Sequence, residues 1–269
     1  MVDEKAGLEL RVLGPFEVSA GGRRVDLGGP QLRGALARLL VDAGRTVSVR
    51  ALVHELWGES PPLDASRTVR TYMSRLRGAL RRASTGARFD LLLATCAPGY
   101  RLLADPDMFD AARFERLAAD GRHALAAQYP ELALQRFTVA LGLWRDDAFV
   151  EFDEHPAISA EGTRLNRLRL MVIEDRIQAA LATGRDTQVV GDLETLVLAH
   201  PTRERLWGQL MTALYRCGRQ AEALAAFRTA RAVLVGEYGV EPSPGLVEIH
   251  RQILRHNVEP AAPWPIVAA

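Results

Sequence analysis

The chain has 269 residues, 34 of them Lys or Arg and 33 Asp or Glu, for a formal net charge of +1. That length holds about two domains with cores of their own, and 48% hydrophobic with 25% charged residues excludes a disordered or fibrous chain. The charge argues against a strongly basic nucleic-acid binder only until it is divided: residues 1–104 carry a net +6 and residues 105–269 a net −5. Such asymmetry points to nucleic acid as the partner of the basic part, although chance partition of charges also produces differences of this size.

The first residues, Met1 to Lys5, lack the apolar stretch of a signal peptide. No apolar run approaches the roughly 18 residues of a membrane span. Leu8, Leu10 and Val12 alternate with Glu9 and Arg11 as in a strand. Gly14-Pro15 turns the chain, Phe16 and Val18 open a second strand, and Gly21-Gly22 leads into a third through Val25 and Leu27. Gly28-Gly29-Pro30 then breaks the sheet, and a helix over residues 31–43 follows with Leu32, Leu36, Leu39 and Leu40 on one face, ended by Gly44. Thr46-Val47-Ser48 reads as an extended link, and a second helix begins at Ser48 or Val49 and stops at Gly58.

A third helix spans about residues 65–82. On a helical wheel Val69, Met73, Leu76 and Leu80 form its buried stripe with Tyr72 beside it. Arg67, Thr71, Ser74, Arg75, Gly78 and Arg82 lie opposite, with Arg70, Arg77 and Arg81 on the flanks. The helix holds six arginines and no acid, whereas a solvated helix gains from unlike charges at i,i+4. An anionic partner would supply the missing charge, and Arg with Thr and Ser suits base edges and phosphates in a DNA major groove. The alternative is an exposed helix in an arginine-biased chain: Lys5 is the sole lysine against 33 arginines. Either way, basic contacts with DNA would fall to Arg. Leu91 to Thr95 and Tyr100 to Leu103, joined by the turn Cys96-Ala97-Pro98-Gly99, form a second hairpin. Sheet, three helices and hairpin are the order of a winged helix-turn-helix, whose wing would present Gly99, Tyr100 and Arg101.

Arg67-Thr68-Val69-Arg70-Thr71-Tyr72-Met73-Ser74-Arg75-Leu76-Arg77-Gly78-Ala79-Leu80, followed by Pro98-Gly99-Tyr100-Arg101-Leu102, resembles the OmpR-type winged helix of the Streptomyces antibiotic regulatory proteins. Glu55-Leu56-Trp57-Gly58 fits as well. The resemblance implies a bacterial transcriptional activation domain in the second half.

That half begins after an acidic seam, Leu103-Ala104-Asp105-Pro106-Asp107, and reads as helical from 109 to 255. Gly184-Arg185 recurs 34 residues later as Gly218-Arg219, with Leu193 matching Phe227 and Leu196 matching Ala230. Thirty-four residues is the tetratricopeptide period. Trp207, Leu210, Ala223, Phe227 and Ala230 keep its spacing, Pro201 ends the middle unit, and Gly121, Ala133, Phe137 and Ala140 mark an earlier one. Ala140 to Arg145, Arg203 to Leu224 and Glu237 to Pro244 also resemble the activation-domain family.

The expected architecture is mainly α with a small β part: an N-terminal winged helix-turn-helix over 1–104, a tetratricopeptide-like domain over 105–256 and a flexible tail over 257–269 with Pro260, Pro263 and Pro265. No enzyme is expected, because no phosphate-binding loop, dinucleotide turn or nucleophile elbow is present and the six histidines are scattered. His155 and His200, each before a proline, read as helix-boundary residues. Cys96 and Cys217 have no partners at metal spacing and suit a reducing cytosol. Asp146, Asp147, Glu151, Asp153 and Glu154 read as a solvated acidic loop, so neither metal nor cofactor is expected. Candidate DNA contacts are Arg67, Thr68, Arg70, Thr71, Ser74, Arg75, Arg77, Arg82, Gly99, Tyr100 and Arg101.

The resemblance further implies an activator that binds tandem direct repeats in double-stranded promoter DNA as a homodimer. It implies contact with RNA polymerase holoenzyme, control of antibiotic or other secondary-metabolite genes, and a cytoplasmic, nucleoid-associated location. The rival readings are a protein-interaction scaffold of tetratricopeptide type and a repressor on the same fold.

Overall fold

A computed structural model describes residues 8–83 and 93–257. The readings made for Met1 to Lys5, for Leu91 and Leu92, and for Pro260, Pro263 and Pro265 lie outside the described residues. The chain divides into two compact units, residues 1–117 with 140–169, and residues 118–139 with 170–269.

In the first unit β1 (Leu8–Arg11), β2 (Glu17–Ala20) and β3 (Arg23–Arg24) form an antiparallel meander. Leu8 pairs with Ala20 and Leu10 with Val18, and the alternation buries Leu8, Leu10 and Val18 on one face. The third strand is shorter than its sequence pattern implies. Val25 still donates to the Val18 carbonyl at 2.8 Å, but Asp26 accepts from the Gly28 amide at 2.8 Å and turns the chain away. Then come α1 (Pro30–Val41), with Pro30 in its first turn, α2 (Val49–Trp57), whose cap Ser48 accepts from the Ala51 amide at 3.1 Å, and α3 (Ala65–Ala83).

Thr46–Ser48, read as a link, is strand β4. It pairs with β6 (Gly99–Leu102), which also pairs with β5 (Leu93–Cys96), so β6 is central in the order β4-β6-β5. Three residues are too few for periodicity to separate strand from link. Gly99 is required by this pairing, since a Cβ there would overlap the Val47 carbonyl.

The first unit does not end at the acidic seam. A short 3-10 helix (Pro106–Met108) leads into α4 (Asp110–Ala126), followed by α5 (Pro130–Leu141) and α6 (Pro156–Ala182). The Asp110 carboxylate accepts from the Val12 amide at 2.9 and 3.0 Å and from the Leu13 amide at 3.1 Å. The Arg145 amide donates to the Leu13 carbonyl at 2.8 Å and the Phe149 amide to the Val12 carbonyl at 2.9 Å. Phe152 meets Phe16 edge to face, with centroids 5.8 Å apart. Glu151 is more than the solvated acid its surroundings suggest: it pairs with Arg33 and accepts from the Phe16 amide at 3.3 Å. At the start of α6, Glu55 of α2 accepts from the Ala157 amide at 3.0 Å and the Ile158 amide at 3.1 Å. The Nδ1 of His155 lies 2.9 Å from the Glu55 carbonyl oxygen.

The second unit contains α7 (Asp186–Ala199), α8 (Glu204–Arg216), α9 (Gln220–Tyr238) and α10 (Pro244–Leu254). The 34-residue recurrence is a recurrence of helix ends. Gly184 and Gly218 have φ of +73° and +77°, a region glycine enters without a Cβ penalty. At the same offset the Arg185 amide donates to Ala180 at 3.0 Å and the Arg219 amide to Leu214 at 2.9 Å. Leu193, Leu206, Met211, Ala223, Ala230, Leu246 and Ile253 belong to one buried cluster. Trp207 sits at its edge, donating to the Pro201 carbonyl at 2.9 Å. Burial pushes the Glu174 carboxyl up from its ordinary range, against the opposing charges of Arg205 and Arg203. The small sheets followed by a helical domain agree with the expected mainly α architecture. Among the described residues no helix is long and apolar enough to cross a membrane.

Candidate nucleic-acid interface

The third helix begins where Arg67 and Thr68 donate to the Asp64 carbonyl, both at 2.9 Å. Val69, Met73, Leu76 and Leu80 form the buried stripe expected of them. Burying four such side chains contributes roughly 1.5–3 kcal/mol each, which anchors the helix through this stripe. Tyr72 stacks on Trp57 with ring centroids 6.1 Å apart, joining α3 to α2.

The opposite face is left open. Arg67, Arg70, Thr71, Ser74, Arg75 and Arg82 are all exposed and Thr68 is half-buried. Thr68 and Thr71 turn their hydroxyls onto the carbonyls of Asp64 and Arg67, both at 3.2 Å. Arg67, Arg70, Arg75 and Arg82 make no ion pair among the described residues, whereas Arg33, Arg38 and Arg145 in the same unit each hold a carboxylate. These four guanidinium groups lie along one side of one helix.

The remaining candidates occupy the sheet beside it. Arg77 donates from Nε to the Leu93 carbonyl and from Nη2 to Thr95 Oγ1, both at 2.8 Å. Its guanidinium lies 5.7 Å from the Tyr100 ring centroid, so it braces α3 against β5 and β6. Tyr100 and Gly99 are buried, and Arg101 is half-buried with Nη2 2.9 Å from Thr46 Oγ1. The exposed tip of the hairpin is Ala97-Pro98, joined by a cis peptide bond. A hairpin's sequence fixes where it turns, while which of its residues point inward depends on the register with β4.

One surface escaped the sequence reading. Residues Asp26 to Gly29 and Leu32 line a groove of about 520 Å³ together with Ser74, Arg75, Gly78 and Arg82. No local pattern brings segments about fifty residues apart into contact. Among the described residues no group of His, Cys, Asp and Glu could hold a metal ion.

Comparison with known proteins adds lineage to this geometry. Residues 22–102 match the family described as "Transcriptional regulatory protein, C terminal", and residues 109–254 match "Bacterial transcriptional activator domain". The chain is 39% identical over 252 residues to Regulatory protein DnrI of Streptomyces peucetius, covering 92% of each. It is 38% identical over 256 residues to Regulatory protein AfsR of Streptomyces griseus, covering 95% of this chain and 25% of that one. Among solved structures, Mycobacterium tuberculosis EmbR, in complex with a low affinity phosphopeptide, superimposes with a TM-score of 0.90 at 34% identity. That match covers 94% of this chain and 66% of EmbR.

Proposed function

The chain belongs to the Streptomyces antibiotic regulatory protein family of transcriptional regulators, and from that premise we propose that it is a sequence-specific DNA-binding activator. In this reading α3 enters a major groove and presents Arg67, Arg70, Thr71, Ser74 and Arg75 to base edges and phosphates, while Arg82 reaches a phosphate. Arg77 and Tyr100 position α3 against the wing, and Thr68, Gly99 and Arg101 shape that edge. The observation that carries the reading is the acid-free exposed face of α3, where Arg67, Arg70, Arg75 and Arg82 make no ion pair among the described residues. The protein binds tandem direct repeats as a homodimer in the cytoplasm, and its helical unit contacts RNA polymerase holoenzyme at promoters of antibiotic or secondary-metabolite genes. Gel shift and footprinting on promoter fragments from the source genome test this, and absence of a shift with every fragment would overturn it.

Two outcomes follow. Arg75→Ala should weaken binding to a footprinted site by about 1–3 kcal/mol and relax the preference at one base pair, as expected for a guanidinium bidentate to guanine. Unchanged affinity and preference in a competition assay would remove Arg75 from the reading set. Log affinity should also fall linearly with log salt, with a slope of about −0.9 for each phosphate contacted. A flat response between low and moderate salt would sink phosphate-dominated binding.

A further inference from the structure

The groove beside α3 continues past the helix. A second hollow of about 560 Å³, lined by Ala20, Arg23, Arg24, Val25, Asp26, Ala79, Arg82 and Ala83, shares Asp26, Ala79 and Arg82 with the first. Together they form one trough from the exposed face of α3 to the hairpin β2–β3. Arg75 and Arg82 stand on one wall, and Arg23 and Arg24, both exposed, stand at the far end. The one carboxylate among the lining residues, Asp26, already accepts from the Gly28 amide at 2.8 Å.

A second positive element opens into the same place. Gly29, the cap of α1, offers no capping side chain, its carbonyl takes the Leu32 and Arg33 amides at 3.0 and 3.2 Å, Pro30 follows, and the first turn holds no acid. Helix α1 is 12 residues long, and its uncapped N-terminus adds the positive end of its dipole. Four guanidinium groups and a helix N-terminus thus line a trough whose described walls carry one carboxylate, Asp26, so positive charge is in excess there. Like charges lining one trough repel, and an anion between them relieves that repulsion.

Resting on the reading of α3 as a DNA-contacting helix, we infer that this trough seats the sugar-phosphate backbone flanking the base pairs that α3 reads. Arg23 and Arg24 act there as phosphate ligands. The occupant is a polymer backbone rather than a small anion because the trough is open, is lengthened by the hairpin, and is continuous with the face that enters the groove. Small residues at Ala20, Ala79 and Ala83 leave room for it. The trough adds affinity without sequence information, since phosphates are alike at every step.

The test uses the full chain carrying Arg23→Ala with Arg24→Ala, and separately Arg23→Glu with Arg24→Glu. Both positions are exposed on a two-residue strand, so circular dichroism and the urea midpoint should match the parent protein. Binding is measured on a duplex with one footprinted site, on a tandem duplex and on an unrelated duplex, from low to moderate salt. The alanine pair should weaken the site and the unrelated duplex by the same factor, about tenfold, with the salt slope shallower by about 1.8. The glutamate pair should weaken both further, and hydroxyl-radical protection should be lost on one flank. Parent-like affinity and slope, beside an Arg75→Ala variant that loses base preference, would overturn the trough and leave α3 standing. Loss of cooperativity on the tandem duplex alone, with single-site affinity intact, would also overturn it by assigning the trough to a second copy of the chain. A parent protein that binds no duplex would remove both the trough and the reading of α3.

Discussion

Asp110→Ala should lower the stability of the protein by about 3 kcal/mol, although the residue lies outside the hairpin β5–β6, α3 and both sheets. Its carboxylate is the acceptor for the buried amides of Val12 and Leu13, where β1 has ended and the chain turns. A buried donor left without a partner costs roughly 1–3 kcal/mol, and here there are two. Relief of the desolvation borne by the carboxylate offsets part of that loss. Asp110→Asn, which keeps one carbonyl oxygen, should lose less than the alanine variant. Urea midpoints read both, and an alanine variant within about 0.5 kcal/mol of the parent, the range of an ordinary surface change, would refute the assignment.

The same residue sets a pH dependence. Burial pushes the Asp110 carboxyl up from its ordinary value, against hydrogen bonds from Val12 and Leu13 and the charge of Arg145. A raised native pKa means that the folded chain takes its proton first as the pH falls. Stability from this group therefore grows as pH drops through the native pKa toward the unfolded one, and is absent above it. The deficit of Asp110→Ala should widen on mild acidification, and a deficit that narrows would contradict the sign.

Glu55→Ala should cost about 2–3 kcal/mol. The side chain, 5% exposed, reaches from α2 to the first turn of α6, accepts from two amides there and lies 3.6 Å from the Arg38 Nε. Losing an N-terminal cap costs roughly 0.5–2 kcal/mol, and losing a negative charge at a partly buried helix start adds up to about 2. Glu55→Gln keeps an acceptor and should recover about half. Because α2 also stacks on α3 through Trp57 and Tyr72, the alanine variant should bind DNA more weakly at temperatures well below its midpoint. Full binding together with an unchanged midpoint would deny Glu55 the role of a cap.

Most of the winged helix could be read from sequence because its signals are local. Val69, Met73, Leu76 and Leu80 recur at helical spacing, Pro30 starts a helix, and Gly184 and Gly218 end two at the same offset. The arginine face of α3 was legible for the same reason: burial of one stripe dictates exposure of the other. The rest depends on distant pairing. Glu55 reads as one more acid at the end of a helix until α6 arrives 102 residues later. Glu151 belongs to an acidic run until Arg33 meets it. Arg77 reads only as a flank residue on a wheel, and the strand at Leu93 and Thr95 is what makes it a brace. The acidic seam near residue 105 is visible as composition, yet contacts made by Asp110, Arg145 and Phe149 carry the first compact unit across it.

Those crossings bear on how regulators of this build can be recombined. A chimera that grafts a new operator preference by cutting between the two matched families, in residues 103–108, would separate Val12, Leu13, Phe16 and Arg33 from Asp110, Arg145, Phe149 and Glu151. The inherited cassette is discontinuous: the compact unit that holds α3 includes residues 140–169, a second stretch of chain. A working exchange must transplant both stretches together or restrict itself to the outward-facing positions of α3.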